Sequence, residues 1–80
     1  MNEARLRWQC RRGMRELDVL LTSFLTESYA GSTPEEKRGF EQLLTLSDPE
    51  LVGYLLKGER ATDPDMERVL SRLRRDPASG

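Results

Sequence analysis

Eighty residues suffice for one small domain, and a chain of that size hides only about 60% of the surface its unfolded form exposes, which argues against a deep substrate cavity. Histidine is absent, removing the usual general base, the usual zinc ligand and the third member of most nucleophilic triads, while the single cysteine, Cys10, excludes an intrachain disulfide or a thiolate metal cluster. The net charge of −1 is unevenly placed: Arg5, Arg7, Arg11, Arg12 and Arg15 are offset only by Glu3 over residues 1–15, whereas acids outnumber bases from Glu16 to Asp65.

A short arginine-rich helix is expected from about Glu3 to Arg11, ending before Gly13, because glycine inside a helix costs roughly 1 kcal/mol against alanine. Leu17, Leu20, Leu21, Phe24 and Leu25 then recur at i, i+3, i+4, i+7 and i+8, the apolar stripe of a central core helix. Residues 28–32 read as a connection. Thr33-Pro34-Glu35-Glu36 supplies an N-cap, a proline at the first helical position and a capping-box glutamate, opening a helix that turns Phe40, Leu43 and Leu44 inward. Asp48-Pro49-Glu50 repeats that signal, so the chain should turn within Leu46 to Asp48 and enter a helix burying Leu51, Tyr54 and Leu55, with Gly58 as its stop. Asp63-Pro64-Asp65 opens the last helix, with Met66, Val69, Leu70 and Leu73 on one face and Arg68, Arg72, Arg74 and Arg75 on or near the other. Asp76-Pro77 ends it.

No segment alternates with period two, and the prolines stand at helix starts. The expected fold is all-α, a compact five-helix bundle in a single domain over residues 1–76, with 77–80 as a flexible tail. No apolar run approaches the roughly 20 residues that cross a bilayer and no signal-peptide segment opens the chain, so a soluble, cytoplasmic protein in a reducing compartment is expected.

The chemistry-bearing side chains crowd the first junction. Arg12, Gly13 and Glu16 stand where the second helix begins, its early N–H groups unpaired and its dipole favouring negative charge. Glu16 is either a capping or dipole-complementing acid or a partner contact; Gly13 is a positive-φ turn, a bare backbone for a partner's close approach, or both. Trp8 is either a half-exposed anchor or a lid folded over Leu17 and Leu21, the commoner arrangement in a small domain. Cys10, one turn after Leu6, reads as a small core residue, and Met14 as core filler or adaptable contact. The arginines are compatible with phosphate binding, but the slightly negative total charge and the lack of interleaved aromatics beyond Trp8 favour a protein surface. The acids at helix starts are explained by capping, and none is spaced for metal binding or acid–base work.

The stretch Arg5 to Asp18 reads R-x-x-W-x-C-R-R-G-M-R-E-L-D, and within it Arg12 to Glu16 forms R-G-x-x-E. With E-E-K-R-x-F-x-x-L-L from Glu35 to Leu44 and D-P-E-L from Asp48 to Leu51, it resembles the small helical FAD assembly factors of succinate dehydrogenase found in bacteria and, as a counterpart, in mitochondria. The resemblance spans nearly the whole chain. It implies the same five-helix fold and a binding protein rather than an enzyme. The implied partner is the flavoprotein subunit of succinate dehydrogenase, with that of fumarate reductase as a further candidate, and the implied role is promoting covalent attachment of FAD to a client histidine. It places the contact patch at Arg12, Gly13 and Glu16, with Arg5, Trp8, Arg11, Arg15 and Asp18 as neighbours. No cofactor is expected to stay bound, FAD being the client's, and the free chain is expected to be a monomer. The chain departs from the family pattern at Tyr54, where tryptophan is frequent, and over Lys57 to Thr62. The competing readings are a toxin–antitoxin module, a small nucleic-acid binder and, least favoured for want of a dinucleotide fingerprint, an FAD-binding protein.

Overall fold

Two capping boxes set the register of the middle of the chain. In this computed structural model, which describes residues 3–75, the Thr33 hydroxyl accepts from the Glu36 N–H at 3.1 Å and the Glu36 carboxylate accepts from the Thr33 N–H at 3.0 Å. Helix α3, Pro34–Leu43, follows directly. Ser47 and Glu50 repeat the exchange at the head of α4, Asp48–Leu55. The cap is therefore Ser47 and not the expected Asp48. Glu50 reaches back three residues, which fixes the cap one position earlier and leaves Asp48 in the first turn beside the positive end of the dipole. Asp63 accepts from the N–H groups of Asp65 (2.8 Å) and Met66 (3.3 Å) and so opens α5, Pro64–Arg75, as expected.

The first two helices are α1, Glu3–Gln9, and α2, Arg15–Glu27. Helix α1 ends short of Arg11 because its last turn tightens: the Cys10 N–H is shared between the carbonyls of Leu6 and Arg7, and the Arg11 N–H bonds that of Trp8. The connection at 28–32 contains a single 3₁₀ turn, Tyr29–Gly31. Tyr29 is buried there, its hydroxyl donating to Glu41 Oε2 at 2.8 Å. Burial first, then the Glu41 carboxylate, push its pKa up to about 12. Gly58, at φ +76, lies just past α4 and terminates it as expected.

Phe40 is the hub of the core. It is fully buried, with its ring 4.8 Å from that of Phe24 and 5.6 Å from that of Tyr29. Around it lie Leu17, Leu21, Leu43, Leu51, Val69, Leu70 and Leu73, while α1 contributes Leu6 and Cys10. Tyr54 is only half-buried. Helices α3 and α5 approach so closely that a Cβ on Gly39 would collide with the Asp65 carbonyl. The radius of gyration of 11.2 Å matches the roughly 12 Å expected for a single globule of this length. The structure is all-α: five helices in one compact body, with no strand among the described residues.

The basic face of α5 departs from expectation at Arg74. Its Nε donates to the Tyr54 carbonyl at 2.8 Å, Nη2 to that of Glu59 at 2.5 Å and Nη1 to Glu67 Oε2 at 3.0 Å, so it ties the end of α4 to α5. The bond from Arg74 to Glu67, followed by one from the Ala61 N–H, holds Glu67 down at a pKa of about 2. Arg72 bridges to Glu36 and Ser32 and lays its guanidinium over the Phe24 ring. Asp76 and the expected tail at 77–80 lie outside the described residues.

Candidate docking surface at the first helix junction

Helical geometry divides α1 cleanly. Leu6 and Cys10, one turn apart, take the inward face. Trp8 is two positions from each and so points about 200° away. It is 75% exposed, which overturns the expectation that it folds over Leu17 and Leu21. Ala4, Arg7, Trp8 and Arg11 line a shallow open groove on this outer side. Arg7 also donates to Thr26 Oγ1 at 3.2 Å, tying α1 to the end of α2. Cys10 is the core residue expected: burial raises its pKa to about 11 against the pull of Arg7 and Arg12, so it stays a thiol.

The R-G-x-x-E segment splits between inside and outside. The Arg12 side chain is 16% exposed; Nη2 donates to the Leu46 carbonyl and Nε lies 3.4 Å from Asp48 Oδ1. Its backbone N–H donates to Asp18 Oδ1 at 2.6 Å. Arg12 and Asp18 are thus both engaged within the fold. Gly13 adopts φ +84, the conformation expected of a glycine between two helices, and a Cβ there would have nothing within 4 Å. No neighbour among the described residues needs it small. Met14 is the extended N-cap residue of α2 without a side-chain cap bond, and packs partly buried against the core.

Arg15 and Glu16 are exposed, as are Arg5 and Arg11. Glu16 stands in the first turn of α2 and its carboxylate makes no hydrogen bond or ion pair among the described residues, which leaves it the role of complementing the helix dipole. The Arg11 and Arg15 guanidinium groups and the Glu16 carboxylate make no ion pair among the described residues. The structure therefore brings Arg11, Gly13, Arg15 and Glu16 to one open junction beside the Trp8 groove, with Arg12 and Asp18 behind it. Sequence reasoning missed Leu46 and Asp48 as the seats of Arg12, and Val19, which is 40% exposed one turn after Arg15. Val19 could have been noticed, since it stands off the apolar stripe of α2.

Fold and surface together define a small helical domain with an open, charged first junction beside an exposed tryptophan, which makes that junction the candidate docking surface. The family model described as flavinator of succinate dehydrogenase matches residues 4–77, and the chain belongs to that family. It is similar to the FAD assembly factor SdhE of Shewanella oneidensis, at 43% identity over 74 residues covering 92% of this chain and 90% of the relative. The factor of the same name from Colwellia psychrerythraea is 41% identical over 70 residues, 88% of this chain and 77% of the relative. That of Photorhabdus laumondii is 39% identical over 69 residues, 86% and 78% respectively. The family read from R-G-x-x-E and its context is the family found. Among the described residues no helix is long and apolar enough to cross a membrane.

Proposed function

We propose that this chain is an assembly factor that docks on the flavoprotein subunit of succinate dehydrogenase and promotes covalent attachment of FAD to it, contributing position rather than a catalytic group. The observation that carries this reading is the open junction: Gly13 has free space above it and is flanked by the charges of Arg11, Arg15 and Glu16, which make no ion pair among the described residues, in the segment matched by the family. Trp8 and Arg11 supply the kind of aromatic and guanidinium anchors that concentrate binding energy at interfaces. Holding the client with the flavin ring and acceptor histidine in attack geometry contributes several kcal/mol to such a step, on the order of what oriented intramolecular reactions gain. The flavoprotein of fumarate reductase is a second client in this reading. The factor works as a cytoplasmic monomer, and FAD stays with the client.

The test is covalent flavin fluorescence of the denatured flavoprotein after assembly with FAD and no factor, the wild-type chain, or variants. Wild type should raise it, and a folded Gly13→Arg should not. Gly13→Asn separates two causes, because asparagine tolerates positive φ but fills the open space. Flavinylation reduced by a stable Gly13→Asn assigns the effect to the surface, whereas no stimulation by wild type refutes the function. Glu16→Gln that still binds but no longer stimulates would give Glu16 a role beyond docking.

A further inference from the structure

The arginine of R-G-x-x-E does not share the exposure of the glycine and glutamate that follow. Its guanidinium is turned under the junction onto the Leu46 carbonyl and Asp48, while Asp18 holds its backbone N–H. Both side-chain seats lie at the α3–α4 connection, at and just before the D-P-E-L segment, so one side chain joins two stretches more than 30 residues apart. The apolar anchors of the junction are Cys10 and Met14, on either side of it. What Arg12 adds is a fixed path for residues 12–14, the turn in which Gly13 takes φ +84.

We propose that Arg12 is a positioning residue and not a client contact: by clamping the junction to the α3–α4 connection through Leu46 and Asp48, it sets where Gly13 and Glu16 meet the flavoprotein. This rests on the docking function proposed above. A planar fork reaches a carbonyl and a carboxylate on separate groups at once, which a lysine ammonium at the end of a flexible stem does poorly. Asp48 is a suitable second probe, because Ser47 and Glu50 cap α4 without it.

The experiment compares wild type, Arg12→Lys, Asp48→Asn and the double variant by two readouts. In the isolated chain, the rate of Cys10 modification by a maleimide reports opening of the junction, since this buried thiol lies two residues before the clamp. With the flavoprotein and FAD, covalent flavin is followed against factor concentration. Arg12→Lys should speed Cys10 labelling on the order of tenfold, the ratio expected for loss of one charge-assisted hydrogen bond to the Leu46 carbonyl, and Asp48→Asn should speed it by less, because Arg12 Nε faces Asp48 as an ion pair without a hydrogen bond. Each single variant should also raise the half-maximal factor concentration while leaving maximal flavinylation intact, and the double variant should be no worse than the worse single. Circular dichroism melts establish that the variants fold, and Asp48→Asn decides alone if Arg12→Lys does not. Weakened flavinylation in Arg12→Lys with unchanged Cys10 labelling, and Asp48→Asn behaving as wild type, would overturn the clamp and make Arg12 a contact. Labelling that responds to both variants while wild type fails to stimulate flavinylation supports the clamp and refutes the docking function instead.

Discussion

The α3–α5 half and the α1–α2 junction solve different problems with the same residue types. Where α3 meets α5, glycine permits backbone contact at Asp65, and Arg72 and Arg74 are each held by more than one partner. At the junction, glycine borders open space and the guanidinium groups of Arg11 and Arg15 make no ion pair among the described residues. An arginine or glycine in this chain is therefore uninformative until its surroundings are known. The contrast supports the docking surface proposed at the junction, where the guanidinium groups of Arg11 and Arg15 make no ion pair among the described residues.

The sharpest way to break the contrast is to place a methyl group in the packed half. Gly39→Ala drives a Cβ into the Asp65 carbonyl, a backbone atom that cannot swing aside, and the overpacking outweighs the roughly 1 kcal/mol gain in helix propensity. A fall in Tm of roughly 5 to 15 °C is expected by circular dichroism. An unchanged Tm would show that the two helices separate without cost.

Acid should act next, through the network around Arg74. Glu67 is held at about 2 against an ordinary 4.5, chiefly by Arg74, and Glu36 is lowered as well, first by the Thr33 N–H. A carboxylate lowered on folding stabilises fully above its unfolded pKa, and that contribution is lost as pH falls from about 4.5 towards 2. Thermal melts across this window should show wild type losing stability more steeply than Glu67→Gln. Parallel curves would remove Glu67 from the account of acid sensitivity.

The smallest effect on stability is expected at the other end of the comparison. Trp8→Ala should change folding free energy by less than about 0.5 kcal/mol, because the side chain is mostly in water. Flavoprotein binding, measured by calorimetry, should nonetheless weaken by at least roughly tenfold. A large loss of stability with unchanged binding would move Trp8 into the fold and out of the interface.

The helices were legible because their signals are local. Thr33, Pro34 and Glu36 lie within one turn of each other, and Phe40, Leu43 and Leu44 follow at helical spacing. Ser47 and Asp48 both cap well, and only the reach of Glu50 distinguishes them. The candidate site was legible as a segment but not as a surface. The seats of Arg12 lie more than 30 residues away and the carbonyls that hold Arg74 fifteen to twenty, so no local pattern announces them. What is common in small domains points Trp8 inward, whereas Leu6 and Cys10 fix the phase of α1 and point it out.

The exposure of Trp8 gives the molecule a built-in optical probe. It is the chain's only indole and it stands in water, so its emission should be red-shifted in the free factor and insensitive to events around Phe40. Whatever covers α1 will move that emission to the blue, and binding becomes visible without any label.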